Sequence, residues 1–331
     1  QRSMTRNPLS PPIFPHAWAS AWGQDQYGLW QAFTYKNIRH VFRWIPPGRF
    51  MMGSPKEEEG RYDWEDLHPV TLSKGFWLGE TTVTQALWKA VMDGATPSRF
   101  EGDERPVEQV SWEDCQQFIS KLRSLHPDLQ VRLPWEAEWE YACRAGTTTP
   151  FHFGGKDDLN TERVSYSGQW DNWSDKGETK PVKSYPPNNW GLYEMHGNVW
   201  EWCEDVYQSN LGKKAVIDPQ GQSDSESEAR RVIRGGAWDY GGRSCRSAYR
   251  LRLSLLSAAT TLAFVFPWVI ELRPGGGAAG AERPSTARAY TQHRAAPSRS
   301  RRRTVRFFNG YRYPTAEACV QTPAVIARRT S

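Results

Sequence analysis

Apolar and polar positions change period several times along the chain. Residues 42–54, FRWIPPGRFMMGS, read as a short strand, a Pro-Pro-Gly turn and a second strand. Residues 70–84, VTLSKGFWLGETTVT, are strand-like and end on Thr84, which can cap a helix carrying the stripe Leu87, Trp88 and Val91. A second helix starts at Ser111, with Asp114 at the capping-box position and Cys115, Phe118, Ile119 and Leu122 on one face. Pro134 suits a first helical position, and Trp135 to Arg144 reads as a third helix closed by Gly146. Short aromatic strands return at RVIRGGAWDY and SCRSAYRLR. Residues 1–38 are Pro- and Trp-rich and read as an irregular lead-in that packs on the domain. No βαβ unit and no tandem repeat is present. The pattern predicts an α+β domain in which loops dominate, and buried aromatics or bound calcium are the usual supports for such loops.

Composition sharpens this picture. The 331 residues include 17 Trp, 13 Tyr and 13 Phe, which no coiled coil or low-complexity polymer would carry. Mean hydropathy is −0.72, as for a soluble globular chain. Five Cys are too sparse for a disulfide-stapled mini-fold. Charge is uneven. From Leu253 onward there are 12 Arg, no Lys and 3 acidic residues, a net of +9, which leaves −4 of the chain's +5 for residues 1–252. Sixteen of the 17 Trp also precede residue 253. The segment after it opens with an 18-residue uncharged run, Leu253–Ile270, long enough to raise a membrane span. A Gly/Pro/Ala/Arg-rich stretch follows, which composition reads as solvated tail. No basic-then-apolar leader follows Gln1, so a cytoplasmic setting is the default expectation.

Candidate chemistry is narrow. P-loop, dinucleotide, zincin and CxxC motifs are all missing. Residues 191–207, GLYEMHGNVWEWCEDVY, place Glu194, Glu201, Glu204 and Asp205 on a Gly-containing turn, a set of hard oxygen donors suited to calcium or else a solvated acidic loop. His196 in that stretch reads first as a packed loop histidine. In RGGAWDYGGRSCRSAYR, the paired glycines allow close backbone approach. Cys245 there lies among Arg243, Arg246 and Arg250, cations that would lower a thiol pKa, although free Cys is most often a small buried hydrophobe.

Six ordered motifs carry a family resemblance: FRWIPPGRFMMGS, TTVTQALWKAVM, RPVEQVSWEDCQQF, VRLPWEAEWEYACRAG, PVKSYPPNNWGLYEMHGNVWEW and VIRGGAWDYGGRSCRSAYRLR. Across about residues 39–252 they resemble the sulfatase-modifying-factor family, whose namesake is the formylglycine-generating enzyme. The resemblance implies a variant of the C-type lectin fold with a small antiparallel sheet, two or three helices and metal-supported loops. The family includes copper oxidases that convert a sulfatase cysteine to formylglycine, the catalytic half of iron enzymes, and binding proteins such as the variable proteins of diversity-generating retroelements. In the oxidases a Ser follows the two glycines, a Cys lies three residues on, and a second Cys five further. Here those positions hold Ala237, Tyr240 and Cys245. One thiolate cannot form a two-thiolate copper site, so copper is not expected. The helical domain that supplies the iron enzymes' His ligands has no counterpart. The family's calcium site matches better, through the carbonyls of Gly197 and Val199 and the side chains of Glu201 and Glu194, the last standing where the oxidases have Asn.

The resemblance also implies a last strand of the type SNDIGFRLSLG, where this chain has its apolar run. Permitted codons for Ala258–Ile270, read in the neighbouring frame, spell Ser-Asn-Asp-Ile-Gly-Phe-Arg-Leu-Ser-Leu-Gly-His. Residues 253–331 are therefore expected to be out-of-frame and disordered, the domain at 39–252 to lack its last strand, and no membrane or nucleic-acid partner to be involved unless Leu253–Ile270 is genuine. The expected function is a monomeric, non-catalytic binding or scaffold module for a protein or peptide, contacted through Trp238, Asp239, Tyr240, Arg243 and Arg246. The alternative is an oxygen-dependent oxidase using Cys245 and Tyr240.

Overall fold

The computed structural model describes residues 9–221, 230–255, 264–265 and 269–270. Expectations about the remainder of the segment from Leu253 onward, its disorder and its reading frame, lie outside the described residues. Among those described, no helix is long and apolar enough to cross a membrane.

The described residues 9–20 are irregular, as expected of the lead-in, and Phe14 and Trp18 pack on the core; residues 21–38, however, are largely strand. Strands β1 (Ala21–Asp25), β2 (Gly28–Tyr35) and β3 (Ile38–Ile45) form consecutive antiparallel hairpins. The β2–β3 turn uses Lys36 and Asn37 at φ +46° and +66°, the primed geometry whose twist matches right-twisted strands. After the Pro-Pro turn come β4 (Gly48–Met52), β5 (His68–Leu72) and β6 (Phe76–Gly79). Helix α1 (Gln85–Met92) is capped by Thr84, whose hydroxyl accepts from Leu87 N at 3.3 Å. Helix α2 (Trp112–Leu125) has the expected reciprocal box: Asp114 N donates to Ser111 Oγ at 3.1 Å, and Ser111 N to Asp114 Oδ2 at 2.8 Å. Strand β7 (Val131–Arg132) precedes helix α3 (Glu136–Arg144). Trp135 caps α3 rather than entering it, because the Glu138 carboxylate accepts the Trp135 N–H at 2.9 Å, so Pro134 sits just outside the helix. Later strands are β8 (Trp200–Val206), β9 (Val216–Ile217), β10 (Arg230–Arg234), β11 (Arg250–Ser254), β12 (Phe264–Val265) and β13 (Val269–Ile270).

They assemble into three sheets, ordered β1-β2-β3-β6-β13-β7, β11-β10-β8-β12 and β4-β5-β9. Every pair in the six-stranded sheet is antiparallel. Two facts move the domain's edges outward from 39 and 252. Strands β1 and β2 belong to its main sheet. Val269–Ile270 fills the position between β6 and β7, with both side chains buried, so that slot holds a strand.

The core is aromatic. Trp77, Trp139, Trp200 and Trp202 are fully buried, and Trp88 stacks on Phe118 between α1 and α2 at 5.2 Å. Buried charge holds the loops. Arg246 bonds Glu58 at 2.6 Å and grips Glu65 with two N–H groups at 2.6 and 2.9 Å. Arg250 makes a two-point pair with Glu136 at 2.7 and 2.6 Å, and Arg234 and Arg144 share Glu140.

Candidate functional site

Strand β10 is followed by Gly235 and Gly236, both at positive φ, which deliver the loop 237–243. A second segment, 166–174, with neither helix nor strand, lies against that loop. Ser167 N donates to Tyr240 O at 2.9 Å, Ser174 N to Asp239 O at 2.9 Å, Gly242 N to Gln169 O at 2.8 Å and Arg243 N to Trp170 O at 2.9 Å. A Cβ on Gly241 would clash with the Trp170 carbonyl, and one on Gly242 with Leu159, so the second glycine pair exists for this close approach.

Cys245 lies beneath, in an apolar cluster with Phe151 and Val164, its sulfur against Gly236. The basic surroundings suggested by sequence do not reach the thiol. Arg246 is spent on Glu58 and Glu65, Arg250 on Glu136, and Arg243 stacks on the Tyr62 ring at 4.0 Å and donates to Gly60 O at 2.8 Å. Burial, then the charge of Asp239, pushes the thiol pKa up, so Cys245 stays protonated rather than activated.

The other expected contact residues divide. Trp238 is buried and meets Phe100 edge-on at 5.3 Å. Tyr240 is half-buried and meets Trp200 edge-on at 5.2 Å. Asp239 is buried and accepts from Trp173 Nε1 at 3.2 Å. Arg246 is fully buried with its donors satisfied within the chain, which makes it scaffold rather than contact surface. The accessible side chains on this face include Trp173, Asp171 and Arg243. Trp173 and Asp171 lie on a segment whose sequence carries no periodic signal.

The second loop binds to the first. Gly197 N donates to Gly235 O at 2.7 Å, and Asn198 N to Ser165 O at 2.8 Å. Glu194, Gly197 and Asn198 take positive φ, which winds this stretch back on itself ahead of β8. Glu194 accepts from the backbone N–H groups of Lys183 and Tyr185 at 3.0 and 3.3 Å. Burial pushes its pKa up to about 7. Glu201 is buried and accepts from the Trp139 indole; burial pushes it up to about 8, and the charge of Glu194 adds to the effect. The carbonyls of Met195 and Val199 flank Gly235, together with the edge of the Trp139 indole. Two buried carboxylates that repel each other, beside converging carbonyls, are a donor set that fits a hard divalent cation. Glu201 would supply the principal charge, with Glu194 and the carbonyls of Gly197 and Val199 around it. The cation would neutralise both carboxylates and tie the loop to β8. Glu204 and Asp205 lie apart from it: Glu204 accepts from Gln116 at 3.2 Å, and Asp205 holds Glu136 N at 2.6 Å and Gly221 N at 3.0 Å. Among the described residues, no group of three His, Cys, Asp or Glu side chains could hold a metal ion.

His196 is a structural residue. Its Nδ1–H donates to Cys245 O at 2.7 Å, and its Nε2 accepts from His152 N at 3.1 Å, which fixes a neutral tautomer.

Sheet order, three helices and long cross-tied loops define a formylglycine-generating-enzyme-like variant of the C-type lectin fold. The sequence profile of the sulfatase-modifying factor enzyme 1-like domain matches residues 34–264, and the chain belongs to that family. The formylglycine-generating enzyme of Mus musculus is 31% identical over 210 residues, 60% of this chain and 52% of that one. That of Streptomyces coelicolor is 33% identical over 201 residues, 56% of each. The chaperone protein LppX of Paenibacillus barcinonensis is 29% identical over 215 residues, 51% of this chain and 71% of that one. The chain thus spans about half the length of the formylglycine-generating enzymes it matches. Among solved structures, Treponema denticola variable protein 1 aligns with TM-score 0.63 and 25% identity, over 73% of this chain and 98% of that one. PvdO from Pseudomonas aeruginosa aligns with TM-score 0.57 and 24% identity, over 77% and 99%.

Proposed function

We propose that this chain is a non-catalytic binding module on a formylglycine-generating-enzyme-like domain, with calcium in the Glu194–Glu201 loop and a protein or peptide as ligand. The observation that carries the reading is chemical. Where the family's oxidases need Ser, Cys and Cys, this chain has Ala237, Tyr240 and Cys245. A phenol and a buried neutral thiol do not fit a copper(I) ion that requires two thiolates, so no copper step is assigned. The binding face is the paired 166–174 and 237–243 segments, with Trp173, Asp171 and Arg243 outermost. The likeness to a variable protein is consistent with a ligand-binding role on this fold. Calcium acts structurally, joining that face to β8 through the loop that Gly235 anchors.

The test incubates the protein with copper(I), a reductant, oxygen and a sulfatase-type cysteine peptide, and follows the peptide by mass spectrometry. The thiol is expected to persist. Aldehyde formation would overturn the reading in favour of an oxidase acting through Cys245 and Tyr240, which the 31–33% identity to formylglycine-generating enzymes supports.

A further inference from the structure

We infer that the cavity between the segment 9–20 and the end of α2 is a second binding site, which takes a single uncharged aromatic ring carrying a hydroxyl group, a simple phenol. The site uses no residue of the proposed ligand face and stands whether or not that reading does.

Strand β2 supplies the floor. Side chains alternate along a strand, so Gln31, Phe33 and Tyr35 share one face. Trp18 meets Phe42, the residue opposite Gln31, edge-on at 5.8 Å. His126, the C-cap residue of α2, meets Phe33 and Tyr35 edge-on at 4.8 and 5.1 Å. Trp18 thus lies toward the Gln31 side of Phe33 and His126 toward the Tyr35 side. All three line a cavity of about 260 Å³. Pro127 and Thr34 add to its wall, and Leu125 and Asp128, both exposed, bring it to the surface. Size limits the occupant. A cavity of about 150 Å³ holds benzene, and drug-sized ligands take roughly 300 Å³ or more. This one has room for a single ring with a short substituent.

The lining also has unmet polar demand. Trp18 Nε1 and His126 Nε2 are both buried without a hydrogen-bond partner. Such orphans are costly, and native structures keep few of them. Other buried ring nitrogens share the lack, among them those of Trp64, Trp77, Trp200 and His152, but none of these residues lines the cavity. An indole can only donate, so the occupant has to offer it an acceptor; an imidazole nitrogen accepts or donates according to tautomer. A hydroxyl serves either nitrogen, its oxygen accepting from Trp18 and its proton going to His126. The hydroxyl of Thr34 is already paired with Ser20 Oγ at 2.7 Å. Burial lowers the pKa of His126, so its ring is neutral near pH 7 and Asp128 is the charged residue of the lining. A carboxylate or phosphate ligand is thereby disfavoured, whereas a phenol, with a pKa of about 10, enters uncharged.

The experiment titrates the full chain with p-cresol, toluene and 4-hydroxybenzoate, by calorimetry and ligand-observed NMR. Binding of p-cresol should saturate below about 10 mM. Toluene keeps the ring and lacks the hydroxyl, and should bind about fivefold more weakly or worse, the size of one hydrogen bond. The anionic 4-hydroxybenzoate should also bind more weakly than p-cresol. Leu125→Trp fills the cavity from its rim and should abolish binding. Trp18→Phe and His126→Phe each keep a ring and remove one nitrogen, and at least one of them should bring p-cresol down to the level of toluene. Melting curves check that each variant folds. Where one does not, a parent crystal soaked with p-cresol answers instead, with the ring expected over Phe33 and the hydroxyl on Trp18 or His126. The proposal falls if p-cresol does not saturate, if toluene or 4-hydroxybenzoate binds as tightly, or if Leu125→Trp binds as the parent does. It also falls if both nitrogen-removing variants bind p-cresol as the parent does, or if the soaked crystal shows only water in the cavity. None of these outcomes bears on the peptide-oxidation assay, which reads the module assignment alone.

Discussion

Two regions of this molecule bury acid, and they do it differently. Beneath the glycine loop and along α3, Glu58, Glu65, Glu136 and Glu140 each face an arginine at ion-pair distance, from Arg246, Arg250, Arg234 or Arg144. Around Gly235, Glu194 and Glu201 have no such partner among the described residues: Glu201 has one indole N–H, and Glu194 has backbone donors with Lys183 acting at a distance. Burial costs both sets alike. In the first the chain supplies its own cation. In the second the described residues supply none: burial raises both pKa values, to about 7 and about 8, so a proton can neutralise these carboxylates, and the calcium proposed above is the alternative.

The largest effect should come from breaking the self-sufficient region. Arg246→Met strands two buried carboxylates and should cost about 3–5 kcal/mol, measured by chemical denaturation or seen as loss of soluble protein. Adding Glu58→Gln and Glu65→Gln to that variant should restore much of the loss. If the single variant is no less stable than the parent, the contrast fails at its first term. Next in size is the region with the external ion. Calcium should raise the melting temperature, by an amount equivalent to about 2.7 kcal/mol when free calcium is a hundredfold above its Kd. Glu201→Gln should remove the response. Equal melting with calcium and with a chelator, and no calcium by elemental analysis, would leave the proton as what neutralises the carboxylate pair.

A third measurement sharpens the comparison where the two behaviours meet. Asp205 accepts from the backbone N–H groups of Glu136 and Gly221, but the arginines serve the Glu136 carboxylate, so burial and the charge of Glu136 push Asp205 up to about 7. The folded state therefore binds this proton more tightly than the unfolded chain does. The contribution is full below about pH 4, the ordinary carboxylate range, and is lost as pH rises toward 7. Asp205→Asn should flatten that slope in denaturation measured across the window; an unchanged slope assigns it elsewhere. The smallest effect is a control. Lys89 and Asp103 form an exposed pair at 2.9 Å, and Lys89→Ala should leave melting unchanged.

Local signals in the sequence were good guides and distant ones were invisible. Ser111 and Asp114 are three residues apart, and their box could be read directly. The N-terminal hairpins went unread because Lys36-Asn37 is not the Asn-Gly pair that announces such a turn, and because Pro and Trp crowd the preceding residues. Cys245 was set among arginines that are neighbours in sequence, yet Arg246 finds its carboxylates on the loop at 58–65, far away along the chain. The same limit hid the 166–174 segment: its bonds to the 237–243 loop are backbone to backbone, and no side-chain pattern encodes them. By contrast, the carboxylates at 194 and 201 were legible because donor type and turn glycine lie within one short stretch. The shifted-frame expectation can be checked at its source, in the DNA across codons 250–262.

Strand β13 also has a consequence in time. It lies inside the main sheet, between Trp77–Leu78 of β6 and Val131–Arg132 of β7. A nascent chain exposes the edge of β6 long before Val269–Ile270 exists. At ~5–20 residues per second the gap is roughly 10 to 40 s. During that wait the hairpins β1–β3 and β6 form a sheet whose β6 edge, later covered by β13, is unpaired and open to another extended chain. The topology thus leaves the β6 edge open until the chain is nearly complete, and a chain released before Val269 would carry that open edge permanently.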